Sequence, residues 1–388
     1  MTSLDTALAR FTPVEAAPIT DAELRTRIAS LQGRMQRAAI SALWLDASSS
    51  LAYFTGLSLG LSERIHGALI PARGEITYVS PTFEVPKLRT LLRIPGAIAQ
   101  WEEDEDPFAL ITGLAGGTLA VDPLTPFRFV TGLMAAGAQV VPAQPLIVAG
   151  RQIKSRAELA LIQTAMDASL EVHKAVHAGL RPGISTTEVS AFVNAAHRAL
   201  GLDPLFVAVQ FGEATAYPHG VPYPQTLSQG DMVLVDLGGT LQGYRSDITR
   251  TYVFGTPTAR QSALWYLEQR AQAAAFAAAR IGAPCADVDA AARNTLTDAG
   301  YGPGYAVPGL PHRTGHGLGL DIHEEPYIVA GNSTLLAPGM CFSIEPMLCV
   351  YGECGVRLED IVWMSEDGPR WFTAPATRPD DPFAPAPG

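Results

Sequence analysis

Asp236 stands in the middle of the apolar run MVLVDLG, and Asp247, eleven residues on, stands in the β-rich run YRSDITRTYVF. A lone carboxylate in a buried strand costs several kcal/mol unless it is paired or coordinated. The GGTLQG between them carries the glycines of a hairpin connection, which would set the two acids on neighbouring strands within reach of one another. Carboxylates held that close repel unless a cation lies between them. A second pair follows in the same style. Glu345 lies in the apolar strand CFSIEPML, ended by Pro346, and Glu359 lies in GVRLEDIVWM. Arg357, two positions before Glu359, shares its strand face, so Asp360 points the other way, toward backbone or solvent. Three of the eight histidines, His312, His316 and His323, crowd into PHRTGHGLGLDIHEEP, residues 311–326. Four strand acids with one imidazole suit Mn2+, Co2+, Fe2+ or Zn2+. Five protein ligands exceed one tetrahedral zinc and suit two ions about 3.5–4 Å apart. The glycine-rich GHGLG is no phosphate cradle, because no Lys follows at P-loop spacing and no acidic ribose partner is present.

Elements that could position these groups occur twice. RPGISTTEV (181–189) and RIGAPCADV (280–288) align at an offset of 99, matching Arg181 with Arg280, Gly183 with Gly282, Glu188 with Asp287 and Val189 with Val288. Each lies between two helical stretches, the second ending in Gly201 or Gly300. Two such halves, each followed by strand-like sequence, would pack as a pseudo-symmetric pair with a cleft between their sheets. A boundary falls in VAGRQIKSRAEL, where Gly150 breaks the pattern and Ser155 caps a long helix. Ahead of it, DAELRTRIASLQGRMQRAAI has helical spacing behind an Asp N-cap, and SALWLDAS and ITYVS read as strands. The expectation is an α+β protein: an α/β domain over 1–150, a two-fold catalytic domain over 151–373, and a loose Pro/Ala-rich tail over 374–388. His173, His177 and His197 lie on helices and take a structural reading.

The chain has 388 residues, 47% hydrophobic and 17% charged, enough to bury a large core. A net charge of −11 with scattered Lys and Arg argues against a nucleic-acid surface. The acidic run EEDED at 102–106 is a solvated loop. No stretch approaches about 18 apolar residues, which excludes a helical membrane span. Four cysteines without CxxC spacing and no signal peptide imply buried, reduced thiols in a cytoplasmic protein.

In chain order, LVDLGG, YRSDITRTY, TGHGLG, SIEPM and VRLED resemble the metal set of the pita-bread metallopeptidases, in the branch of Xaa-Pro dipeptidases (prolidases) and aminopeptidases P. The resemblance covers residues 150–372 and, more weakly, the front domain, where SSSLAYFTGL is similar to that family's opening strand and turn. It implies that Asp236 is terminal on one ion, that His316 and Glu345 hold the other, and that Asp247 and Glu359 bridge them. It further implies Glu345 as general base, His219 and His323 as contacts to the scissile carbonyl, His312 in the substrate pocket, and Arg357 holding Glu359 charged. Glu324 would fix loop geometry. Arg313 or Arg370 would meet a dipeptide's carboxylate, and Phe211, Tyr217 and Tyr223 would wall the proline pocket. The expected cofactors are two Mn2+, with Co2+ or Zn2+ as alternatives; the expected partners are proline-containing dipeptides or short peptides and a second copy of the chain. Creatinase shares the fold but needs no metal, and non-catalytic relatives have eroded ligands, so the intact set argues against both. Methionine aminopeptidase lacks the front domain.

Overall fold

The computed structural model describes residues 3–384. It divides into two compact units, one spanning Ile19–Arg151 and the other starting at Gln152. The second also takes in the chain up to Pro18, so the segment expected in the front domain belongs with the C-terminal unit: Val14 N–H donates to Leu200 O at 2.9 Å, and Leu4 is buried there.

The front unit is a six-stranded mixed sheet in the order Ala97–Trp101, Thr77–Pro81, Gly67–Pro71, Ala42–Asp46, Thr118–Val121, Gln139–Pro142. Helices cover it, and Trp44, Leu119, Ile111 and Leu133 fill one side of its core. The first helix, Asp21–Arg37, is capped by Thr20, whose hydroxyl accepts from Glu23 N–H, rather than by Asp21. SSSLAYFTGL is a helix here and not a strand and turn. Ser48 caps it, and Gly56 closes it in the left-handed region. Gly150 does not break a helix either, since Gln144–Arg151 runs through it.

In the second unit the duplication is structural. Helices Arg156–Gly179 and Thr186–Ala199 recur as Ala259–Ala278 and Cys285–Asp298. The turns between them hold equivalent bonds: Gly183 N–H donates to Leu227 O at 2.9 Å, and Gly282 N–H to Leu336 O at 2.8 Å. Ser155 caps its helix in a reciprocal box with Glu158, which satisfies two otherwise orphaned N–H groups. Each helix pair backs a sheet. The first sheet runs Ile248–Val253, Met232–Leu241, Asp203–Phe211, with Tyr244–Arg245 folded on one end. The second runs Glu324–Ile328, Gly315–Gly317, Cys341–Ile344, Asp360–Ser365, Gly368–Trp371, and a hairpin pairs Met347–Val350 with Cys354–Arg357. The two sheets meet where Thr249 bridges Glu359.

Of the expected tail, residues 374–384 are held rather than loose. Ala374 O accepts from Arg250 at 3.0 Å, Pro379 O accepts from Val253 N–H at 2.7 Å, and Ala376 is buried; 385–388 lie outside the described residues. All four cysteines are free and buried. Among the described residues no helix is long and apolar enough to cross a membrane.

Asp46, at the end of a central front-unit strand, is 1% exposed; its Oδ1 accepts from Ala47 N–H at 2.8 Å and its Oδ2 has no hydrogen-bond partner among the described residues. Burial pushes its pKa up to about 6, with Ala47 and His66 opposing. Because the folded value is the raised one, its contribution to stability is complete below about pH 4 and is lost as pH rises through about 6. Asp46→Asn should therefore gain on the parent by on the order of 2–3 kcal/mol between pH 4 and 7.5, read by urea unfolding of both proteins. Parallel pH profiles would refute this.

Candidate metal centre

The four acids and one imidazole arrive from five places in the two sheets, within strands for Asp236 and His316 and at strand ends for the other three. Asp236 sits mid-strand and faces Thr249 in register, while Asp247 immediately precedes Ile248–Val253. The chain reverses at Gln242 and Gly243, both at positive φ (51° and 89°), between the paired Leu241 and Tyr244. That two-residue turn lies beyond Gly238 and Gly239, which remain in the strand. Glu345 and Glu359 lie just outside strands rather than within them: Glu345 follows Ile344 and precedes Pro346, and Glu359 falls between Arg357 and Asp360. Pro346 has no N–H to continue a ladder, so the break falls at the acid.

His316 is the centre of Gly315–Gly317, which packs so tightly that a Cβ on Gly315 would lie 1.9 Å from Ser343 O. Only glycine fits there. Ser343 Oγ accepts from His316 N–H at 2.9 Å and donates to Glu345 Oε1 at 3.0 Å, while Glu345 N–H donates to Thr314 O at 2.8 Å. The loop before His316 hangs on the Cys285–Asp298 helix. Asp289 accepts from Thr314 N–H and Oγ1 (3.1 and 2.8 Å), and its partner Arg293 donates to Leu310 O at 3.0 Å and to His312 O.

His316 Nε2 lies 2.9 Å from Glu345 Oε1 and 3.7 Å from Asp247 Oδ2. Asp247, His316 and Glu359 each offer one ligand atom within 4.8 Å of the others, and all three are buried. His316 Nδ1 donates to Gly317 O at 3.1 Å. Its Nε2 must therefore carry a proton to meet a carboxylate at 2.9 Å, or share a cation with it. Arg357 Nη2 donates to Asp236 Oδ2 at 2.6 Å. The arginine thus hydrogen-bonds Asp236, while on Glu359, the carboxylate expected for it, it acts through charge alone.

Burial raises the pKa of Asp236, against the pull of Arg357, and raises Asp247 and Glu359 well above the carboxylate range, reinforced by the other acids. Glu345 alone is pushed down, to about 2: burial opposes ionisation, but the His316 charge and hydrogen bond outweigh it. Asp236 Oδ1 and Glu359 Oε1 are buried without a hydrogen-bond partner among the described residues. Four carboxyls against one guanidinium, with orphaned oxygens and an imidazole nitrogen among them, form a donor set that fits divalent cations.

The remaining expected residues fall around this cluster unevenly. His323 stacks edge-on to His316 at 4.3 Å, with its pKa pushed down to about 4 by burial and by His316 and Arg313. His312 is lowered by burial; its Nδ1 donates to Arg313 O at 2.7 Å, leaving Nε2 buried and unpartnered. Arg313 stacks on Tyr327 at 4.5 Å. His219 is exposed and lines a cavity of about 400 Å³ with Tyr223, Gln210 and Thr186; its neighbour Pro218 O accepts from Arg357 at 3.0 Å. Phe211 is buried in its strand, and Tyr217 packs on Tyr351 at 5.1 Å. Arg370 is on the outermost strand beside Asp367, 3.5 Å away. Glu324 is gripped by Lys154 at 2.6 Å. Asp360 faces neither solvent nor bare backbone but a fully buried Arg250, at 2.7 Å. His173 and His197 are structural, bonded to Ile248 O and Ser169 Oγ.

Sequence reasoning missed Thr249 and Arg250. The period-two reading applied to Arg357 and Glu359 would have found both: along DITRTYV, Thr249 follows Asp247 on one face, and Arg250 turns to the other.

A model of metallopeptidase family M24 matches residues 160–366, and one of the creatinase/prolidase N-terminal domain matches residues 27–153. The probable dipeptidase PepE of Mycobacterium tuberculosis is 37% identical over 357 residues, covering 90% of this chain and 94% of that protein. Among solved structures, the dipeptidase PepE from Mycobacterium ulcerans matches with a TM-score of 0.85 at 36% identity, over 92% of this chain and 97% of its own. The prolidase from Thermococcus sibiricus matches with a TM-score of 0.83 at 29% identity, over 90% and 96%.

Arg357→Met should leave Asp236 uncompensated and destabilise the metal-free protein by about 3–5 kcal/mol. Thermal unfolding in chelator reads this, and an unchanged midpoint would contradict the pairing.

Proposed function

The chain belongs to metallopeptidase family M24, and from that membership we propose that it is a two-metal Xaa-Pro dipeptidase, hydrolysing the bond before proline in dipeptides. The observation that carries this reading is the clustering of Asp247, Glu345 and Glu359 around His316, with Asp236 close enough to act on Asp247 and Glu359. Those five residues would hold the ions, which when bound lower the pKa of a water and stabilise negative charge on a carbonyl oxygen.

The side chains around them have distinct work. Glu345 is ionised, and both Ser343 and His316 anchor it at Oε1. In this reading it takes the proton of the attacking water and returns it to the leaving nitrogen. His323, neutral at pH 7, can donate an N–H to the carbonyl oxygen without adding charge, and His219 is the second candidate for that role. Proline's nitrogen is a tertiary amide with no N–H to recognise, so selectivity must come from a pocket shaped to its ring, with His312 among the lining residues. Arg313, beside His323 and His312, is the cation proposed for the substrate's carboxylate. Arg370, paired with Asp367 on the outer strand, is not. We extend the reading to Mn2+, with Co2+ or Zn2+ as alternatives, and to a cytoplasmic homodimer.

Ala-Pro should be cleaved with a kcat/KM at least about tenfold above that of Ala-Pro-Ala, because only the dipeptide places its carboxylate within an arginine's reach. The reverse order would make the protein an aminopeptidase P. His316→Ala, folded by circular dichroism, should lose at least ~100-fold in activity, since a missing ligand costs more than a missing outer partner. Wild-type rates from that variant would end the assignment.

A further inference from the structure

Two of the acids each commit one oxygen to the protein and leave the other free. Glu359 Oε2 accepts from Thr249 Oγ1 at 2.7 Å, and Asp236 Oδ2 accepts from Arg357 Nη2 at 2.6 Å. Their other oxygens, Glu359 Oε1 and Asp236 Oδ1, are the buried ones without a partner. A single hydroxyl links the two arrangements, because Thr249 Oγ1 also accepts from Arg357 Nε at 3.1 Å. Its backbone is equally committed. Thr249 O accepts from Glu359 N–H at 3.2 Å, and Thr249 stands opposite Asp236 in the strand register.

The opposite face of the strand is clasped as well. Arg250 Nη1 donates to the carbonyls of Thr249 and Glu359 (3.1 and 2.9 Å), and its Nη2 donates to Asp360 at 2.7 Å. Asp360 in turn accepts from Thr373 Oγ1 at 2.7 Å and Gln272 Nε2 at 3.2 Å. Arg250 and Asp360 are fully buried, so this clasp pins the backbone from which the Thr249 hydroxyl projects.

We infer that Thr249 is a positioning residue of the metal centre: its hydroxyl sets the plane of the Glu359 carboxylate and the reach of Arg357 to Asp236, so that one acid from each half-repeat presents a free oxygen to the cations. The inference rests on the reading that divalent ions occupy the cluster. The hydroxyl, being neutral, changes orientation and not the charge count, which separates its role from that of Arg357. Valine has threonine's shape without the donor, and serine has the donor without the shape.

The test is calorimetric titration of the metal-free full-length chain with Mn2+, for the parent, Thr249→Val and Thr249→Ser. The valine variant should bind at least one ion about 10–100-fold more weakly, with serine within about threefold of the parent. Equal affinities for parent and valine variant overturn the inference, as does a serine variant as weak as valine, which would make the role one of packing. A parent that binds no Mn2+ refutes the functional reading itself, and the positioning role with it. Should the valine variant not fold, the Mn2+-loaded parent structure decides: Thr249 Oγ1 still on Glu359 Oε2 supports the role, and a hydroxyl turned away overturns it.

Discussion

Four carboxyl groups share one buried space with a single guanidinium, and the rest of the site answers that imbalance. Left to itself the cluster would hold protons, as the raised pKa values of Asp247 and Glu359 show. Only added positive charge lets all four ionise together. Metal binding and the chemistry of this unit are thus one electrostatic problem, solved partly by Arg357 on Asp236 and partly by His316 on Glu345.

Holding such a cluster together requires rigid backbone, and the duplicated architecture supplies it. Each half-repeat sets two helices behind a sheet, and the sheets join at the Thr249–Glu359 bridge. Asp247 and Glu359 come from opposite halves and lie beside this seam, so their separation is set by strand spacing rather than by flexible side chains. The seam is braced on its reverse by the buried Arg250–Asp360 pair. In the second half, Asp289 and Arg293 carry the histidine loop on a helix, which turns a glycine-rich segment into a fixed one. The family matches agree with this division, the creatinase/prolidase N-terminal domain model covering residues 27–153 and the M24 model residues 160–366.

Much of this was legible residue by residue. Asp236, Asp247, Glu345 and Glu359 stood out because acids in apolar strands are expensive, and the 99-residue offset foretold the paired helices. Where the reading slipped, the cause was non-local. Asp360 was expected to face backbone or solvent because its partner Arg250 is 110 residues away. The hairpin itself turned inside the expected GGTLQG, at Gln242 and Gly243, with Gly238 and Gly239 used within the strand. The tail looked unpackable by composition, yet its backbone finds partners on Val253, Arg250 and Gln269.

The amino-acid sequence alone determined the class of fold, the identity of the charged groups and the order in which they occur, because periodicity, capping and the cost of burying charge are local properties. Which oxygen of each acid is held, which carboxylate Arg357 grips, and that residues 3–18 pack with the second unit were decided only by tertiary structure. Those outcomes depend on distances between residues a hundred or more apart, and no local pattern encodes them.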